Sequence, residues 1–237
     1  QLRTDIDADT IIGIGIAATG VVEDGVIRES TVLGWRDLDL RGMLERRFGF
    51  PVTISNDVVC SMLAERFFGH GDKSMLFIKI DRGIGAATLI DDVTVIGQNH
   101  AGGEIGHISL DPESGVLCPC GKRGCLETMV TSPVIRERIR RASTPEEQLD
   151  IIRSCGEQLA AALAMPIGLL DINDICVYGP PDIVNAAFLE ATQRRVDMVS
   201  SSKFHKHTSV RRCQVGSDIA LRGSAIDVVH HYIENGH

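Results

Sequence analysis

An α/β protein is the expectation, and three observations carry it. Short apolar runs bounded by Gly, Asp or Pro recur along the chain. Stretches with helical spacing of apolar residues lie between them. With 237 residues and 43% hydrophobic side chains, the chain can bury a sizeable core. The runs predict strands at Ile11–Ala17, Val52–Ser55, Met75–Ile80, Ala86–Ile90, Ile175–Tyr178 and Val210–Val215. Leu40, Met43, Leu44 and Phe48 fall on one helical face, as do Val59, Met62, Leu63 and Phe67. Longer helices fit Glu146–Ala164, Asp182–Val199 and Asp218–Ile233, and the hydrophilic stretch Ser200–Thr208 reads as a mobile loop.

Charge and composition narrow the function classes. A formal net charge of −8 argues against nucleic-acid binding by this stretch alone, since such binding rests on Lys and Arg neutralising phosphates. The short basic groups Arg136–Arg141 and Lys203–His207 read as solvated surface. No apolar run approaches the ~18 to 20 residues that span a bilayer, and no charged-then-apolar leader opens the chain. It begins at Gln1 without a methionine, which suits part of a longer protein.

Seven cysteines are an odd number. Cys60, Cys155, Cys176 and Cys213 sit among apolar neighbours, the usual setting of buried reduced thiols. The other three cluster, which fits a reducing cytoplasm and a metal site better than a disulfide framework. His107 is followed after ten residues by Cys118-Pro-Cys120, and after four more by Cys125. A short turn brings two cysteines so spaced to one side of the chain, and Gly121 and Gly124 let it fold back before Cys125. Three thiolates and one imidazole make a closed Cys3His set, the signature of structural Zn2+. Four protein ligands leave no position for a reactive water, so hydrolytic metal catalysis is disfavoured.

Carboxylates surround this loop. Glu104 precedes His107 by three residues, and Glu127 follows Cys125 by two, so a metal clip would hold both near the imidazole. Asn56-Asp57 follows a predicted strand and opens a predicted helix. At that place a helix N-cap and a ligand-binding role are both open.

At this point the residues resemble a known family. "HAGGEIGHISL…CPCGKRGCLE" is similar to the signature of the ROK family, which groups sugar-responsive repressors with sugar kinases. "IGIGIAATGVV", "LGWRDLDLRGMLERRFGFPVTISND", "RGIGAATLIDD" and "CVYGPP" resemble further family segments in the family's order. The resemblance implies a two-lobed fold of the actin-like ATPase and sugar-kinase (ribonuclease H-like) type, with sugar bound in the cleft between lobes. It implies residues 1–57 as the remainder of an incomplete N-terminal lobe, with the C-terminal helix 218–237 packing back on it. Residues 58–217 would form the large lobe with its zinc loop at 103–127. Asn56, Asp57, Glu104, His107 and Glu127 match the family's sugar contacts, and Asp57 sits where the kinases keep their general base. Paired carboxylates and an amide suit adjacent sugar hydroxyls, which both donate and accept.

Departures from the family pattern separate sensor from kinase. The Asp-x-Gly-Gly-Thr turn of the kinases is absent from this chain. The second phosphate turn, commonly Gly-Thr-Gly-Ile-Gly, reads Asp81-Arg82-Gly83-Ile84-Gly85, which sets a carboxylate where phosphate would lie. A third turn carries Pro180-Pro181 after Gly179 in place of a Gly-Gly pair. Before Gly34-Trp35, Ser30-Thr31-Val32 replaces the Pro-Asn-Leu of many relatives.

The expectation is therefore the sugar-sensing portion of a repressor, with no catalytic residue. It would take a sugar or sugar phosphate as effector, and operator DNA would be bound by a helix-turn-helix domain outside this chain. A homodimer or higher homo-oligomer without membrane association is implied. A sugar kinase whose phosphate loop lies outside this chain, and a zinc-stabilised interaction module, are the other classes.

Overall fold

Strand β1 (Ile14–Ala18) leads into an antiparallel meander of β2 (Val21–Glu23), β3 (Val26–Ser30) and β4 (Trp35–Asp39). Asp24-Gly25 links β2 to β3 with φ of 49° and 79°, the doubly positive turn whose twist suits paired strands. These elements belong to a computed structural model that describes residues 10–200 and 207–234. The sequence reading places no strand across the meander. Most of the expected loop at Ser200–Thr208, residues 201–206, lies outside the described residues.

Helix α1 (Leu40–Phe48) starts where Asp39 accepts the Gly42 amide at 2.9 Å, and it stops at Gly49 in the left-handed region. Its expected apolar face is only half used: Leu40 and Leu44 pack on the core, while Met43 and Phe48 are exposed. Strand β5 (Val52–Asn56) then pairs in parallel with β1, Ile14 opposite Val52 and Ala18 opposite Asn56. Helix α2 (Asp57–Phe68) is buried on nearly every side between Val58 and Glu65, more widely than its expected face.

Beyond α2 a second sheet begins. Its centre is β6 (Met75–Ile80), an apolar run found at the residues expected, followed by β7 (Ile84–Ile90) and β8 (Val93–Val95) in antiparallel order. An irregular stretch with a 3-10 turn at Ile105–His107 leads to α3 (Glu127–Val130) and α4 (Ser132–Arg141). Next come the 26-residue α5 (Pro145–Leu170), β9 (Asp174–Tyr178), α6 (Ala186–Ser200) and β10 (Ser209–Arg212). Strand order is β10-β9-β6-β7-β8, with β6, β9 and β10 parallel. Helix α5 lays Ile152, Cys155, Leu159, Leu163 and Ile167 into the core, three to four residues apart as one helical face requires. No described helix is long and apolar enough to cross a membrane.

Several ends differ from expectation, α5 running on to Leu170 and β1 starting only at Ile14, and two of the differences have plain local reasons. Helix α6 starts at Ala186 because the Pro180 carbonyl first takes the amides of Ile183 and Val184 in a turn. Strand β10 stops at Arg212, short of Val215, because the amides of Gln214 and Val215 donate to the buried Glu65 carboxylate. The expected basic surface at Arg136–Arg141 is a face of α4, where Arg140 and Arg141 pair with Glu137. Arg138 instead turns inward to the Met129 carbonyl and Cys155 Sγ.

The last helix, α7 (Ile219–Glu234), packs on β1, β5 and α2. A Cβ at Gly223 would lie 1.6 Å from the Cys60 carbonyl oxygen, so only glycine permits this approach of α7 to α2. Two units result. Described residues up to His70, Gln98–His100 and those from Gln214 form one; Gly71–Gly97 and Ala101–Cys213 form the other. The chain passes between them after α2, on either side of Gln98–His100 and after Cys213, whereas the sequence reading sets the passages at Asp57 and at residue 217.

Candidate functional site

The 103–127 loop doubles back on itself. Ser109 bridges Cys125 and Leu117 bridges Arg123 in antiparallel fashion, with Gly121 and Gly124 at φ of 89° and 63° making the return. This fold gathers the four expected metal ligands. Cys118 Sγ lies 3.6 Å from His107 Nδ1, and Cys120 Sγ lies 3.6 Å from Cys125 Sγ. All four ligand atoms lie within 4.8 Å of one another. Tetrahedral zinc with Zn–S near 2.3 Å needs sulfurs roughly 3.8 Å apart, so the observed spacing fits a tetrahedron with little movement.

The thiols are not alike. Cys118 and Cys125 are buried and Cys120 is exposed. A hydrogen bond from the Lys122 backbone amide holds the Cys120 thiol below its ordinary pKa. Burial, reinforced by hydrogen bonds with Cys120 and Cys118, pushes Cys125 up to about 12. A divalent ion would reverse that preference, because coordination stabilises the thiolate. The donor set suits a closed metal site.

Glu104, His107 and Glu127 come together beside these thiols. Gly103, at φ 94°, sets the approach: a Cβ there would lie 1.9 Å from the Ala86 carbonyl oxygen. Glu104 then begins the 3-10 turn, and its Oε2 lies 3.9 Å from His107 Nε2. Burial raises the Glu104 pKa; the His107 charge opposes that rise and the Glu127 charge adds to it. Glu127, first residue of α3, accepts the Ile84 amide at 3.4 Å and so touches the Asp81–Gly85 turn.

Asn56 and Asp57 lie in the first unit. Asn56 is the N-cap of α2: its Oδ1 accepts the amides of Val58 at 2.8 Å and Val59 at 3.3 Å. Its Nδ2 donates to the Gly20 carbonyl at 2.9 Å. The capping role that sequence left open is thus present, with one amide hydrogen of Asn56 still to place. Asp57 is half-buried at the first position of α2, and its carbonyl accepts from Ser61 Oγ.

The turns at the carboxyl ends of β6 and β9 show residues that sequence reasoning missed. Arg136 of α4 donates to Asp182 through Nε at 2.9 Å and Nη2 at 3.1 Å. Arg212 donates to the carbonyls of Gly179 and Val184, so its guanidinium fills the turn carrying Pro180 and Pro181. Asp81 is exposed, and its carbonyl accepts the Ser132 amide at 2.8 Å. No local pattern signals these pairs, because their partners lie far apart in sequence.

Comparison with known proteins gives the class. The ROK family model matches residues 3–229, and the chain belongs to the ROK family. It is 40% identical over 126 residues to a glucokinase of Halalkalibacterium halodurans, covering 52% of this chain and 38% of that protein. It is 33% identical over 198 residues to a putative xylose repressor of Caldicellulosiruptor sp., covering 73% of this chain and 49% of that one. The chain thus spans less than half the length of either relative. A solved ROK family transcriptional regulator, a homolog of the E. coli MLC protein, superposes with TM-score 0.82 at 24% identity. That match covers 93% of this chain and 63% of that one and speaks for the fold alone. The fold is the α/β actin-like ATPase fold of ROK sugar kinases and repressors.

Proposed function

We propose that this chain is the sugar-binding portion of a ROK transcriptional regulator, with structural Zn2+ held by His107, Cys118, Cys120 and Cys125. The proposed sugar contacts are Asn56, Asp57, Glu104, His107 and Glu127. Bound zinc would cross-link the loop and fix the His107 tautomer. Glu104 and Glu127 would accept from sugar hydroxyls, and the imidazole N–H would donate to one.

One contrast carries the reading. The Glu104–His107–Glu127 group is assembled, while the turns at the ends of β6 and β9 are occupied by protein. Asp81 presents a carboxylate, Pro180 and Pro181 remove amides, and Arg212 and the Arg136–Asp182 pair fill the remaining turn. Of the side chains in these turns, the exposed Arg82 remains as a donor to a nucleotide phosphate, beside the Asp81 carboxylate.

In the full-length protein, operator DNA would be read by a helix-turn-helix domain ahead of this region. A dimer would match two half-sites, and the setting would be cytoplasmic. Sugar would act on DNA binding only through its different affinity for two states of the protein.

A thermal-shift screen of the full-length protein against sugars and sugar phosphates tests this directly. A rise with one sugar or sugar phosphate is expected; no shift with any of them removes the sensor. The second reading is a ROK sugar kinase with Asp57 as general base. The 40% identity to a glucokinase favours it, and sugar phosphorylation at the expense of ATP would establish it.

A further inference from the structure

We infer that Lys122 is a positioning residue of the metal loop, tying two of the four candidate ligands and compensating the charge of the occupied site. The inference rests on the zinc reading above.

Two contacts of one residue carry it. The Lys122 ammonium donates to the His107 carbonyl at 2.6 Å. Its own carbonyl accepts the Cys118 amide at 2.8 Å. A further ligand, Cys125, meets the same His107 carbonyl with its Sγ at 3.6 Å.

Charge explains why a cation belongs at that spot. Three thiolates around a divalent zinc leave one net negative charge. A metal-bound Cys125 has lost its S–H and no longer donates to the His107 carbonyl. The ammonium then lies against a carbonyl dipole that would otherwise face a thiolate. Partners of this kind, one shell out from the ligands, typically change metal affinity about 10- to 100-fold when removed.

Arg123 is the built-in comparison. It has the same charge and adjoins Lys122, yet its guanidinium donates to the Gly115 carbonyl and its own carbonyl accepts from Ser109 Oγ. Those contacts shape the loop without touching a ligand residue.

The experiment is zinc affinity measured by competition with a chromophoric chelator, on the wild-type chain and on Lys122→Met, Lys122→Gln, Lys122→Arg and Arg123→Met. The expected result is zinc binding weakened about 10-fold or more in Lys122→Met and Lys122→Gln. Lys122→Arg should rescue it to within a few-fold of wild type, and Arg123→Met should stay equally close. Lys122→Gln keeps a donor for the carbonyl without the charge, and it stands in if the methionine variant does not fold. Wild-type affinity in the methionine or glutamine variant overturns the proposal, as does an equal loss in Arg123→Met. Failure of the wild-type chain to take up zinc removes the metal reading itself, and this role with it.

Discussion

Glu104 faces His107 Nε2 at 3.9 Å, on the opposite side of the ring from the Nδ1 that meets Cys118 Sγ at 3.6 Å. One imidazole therefore joins the thiol cluster to the carboxylates. A metal on Nδ1 places the ring proton on Nε2, where a carboxylate or a sugar hydroxyl can accept it. Glu104→Ala should accordingly abolish sugar affinity in calorimetry while zinc content stays at the wild-type level. Unchanged sugar affinity removes Glu104 from the site.

Cys120 is the exposed member of the ligand set, so its loss opens no cavity in the core. Cys120→Ser should lower zinc content measured by atomic absorption and reduce Tm by several degrees, at about 2–4 °C per kcal/mol for a chain of this size. Chelator treatment of the wild-type chain should reproduce that shift. A variant that retains one equivalent of zinc removes Cys120 from the ligands.

Gly103 carries both a left-handed φ of 94° and a backbone neighbour where a Cβ would go. Gly103→Ala should cost about 2 kcal/mol or more in urea unfolding, with weaker sugar binding because Glu104 is displaced. A loss below about 0.5 kcal/mol would mean the turn relaxes freely.

Arg136 hydrogen-bonds Asp182 and holds its carboxyl below the usual carboxylate range, with slight burial opposing. The folded value is depressed, so this stabilisation is fully present above the unfolded value near pH 3.9 and is lost as pH falls through the folded one. The pair is largely exposed and screened by salt. Asp182→Asn should lower Tm by about 1–2 °C at pH 7, and the difference should vanish in acid or in high salt. A difference independent of pH and salt would assign Asp182 a packing role.

Much of this architecture is legible because its signals are local. Met75–Ile80 is apolar but for Lys79 and bounded, and it is strand β6 at those residues. The spacing from His107 to Cys125 gathers four ligand atoms because glycines turn a short loop. The β2–β4 meander lies outside the strands read from sequence although Asp24-Gly25 between apolar pairs is a hairpin signal, and Ser132-Pro133 is a start signal for α4. The contacts of Glu127 with Ile84 and of Arg212 with Gly179 join residues distant in sequence, and periodicity carries nothing about them. Asn56 shows why a motif alone leaves a role open: its side chain caps α2 and ties down Gly20.

The central claim is that this region senses sugar without phosphorylating it. The most direct test is an ATP-coupled phosphorylation assay of the full-length protein, using whichever sugar raises its melting temperature. The account predicts saturable sugar binding with no turnover above background; Asp57→Asn should weaken that binding and leave turnover at background. Robust ATP-dependent turnover that Asp57→Asn abolishes would contradict it and establish a kinase.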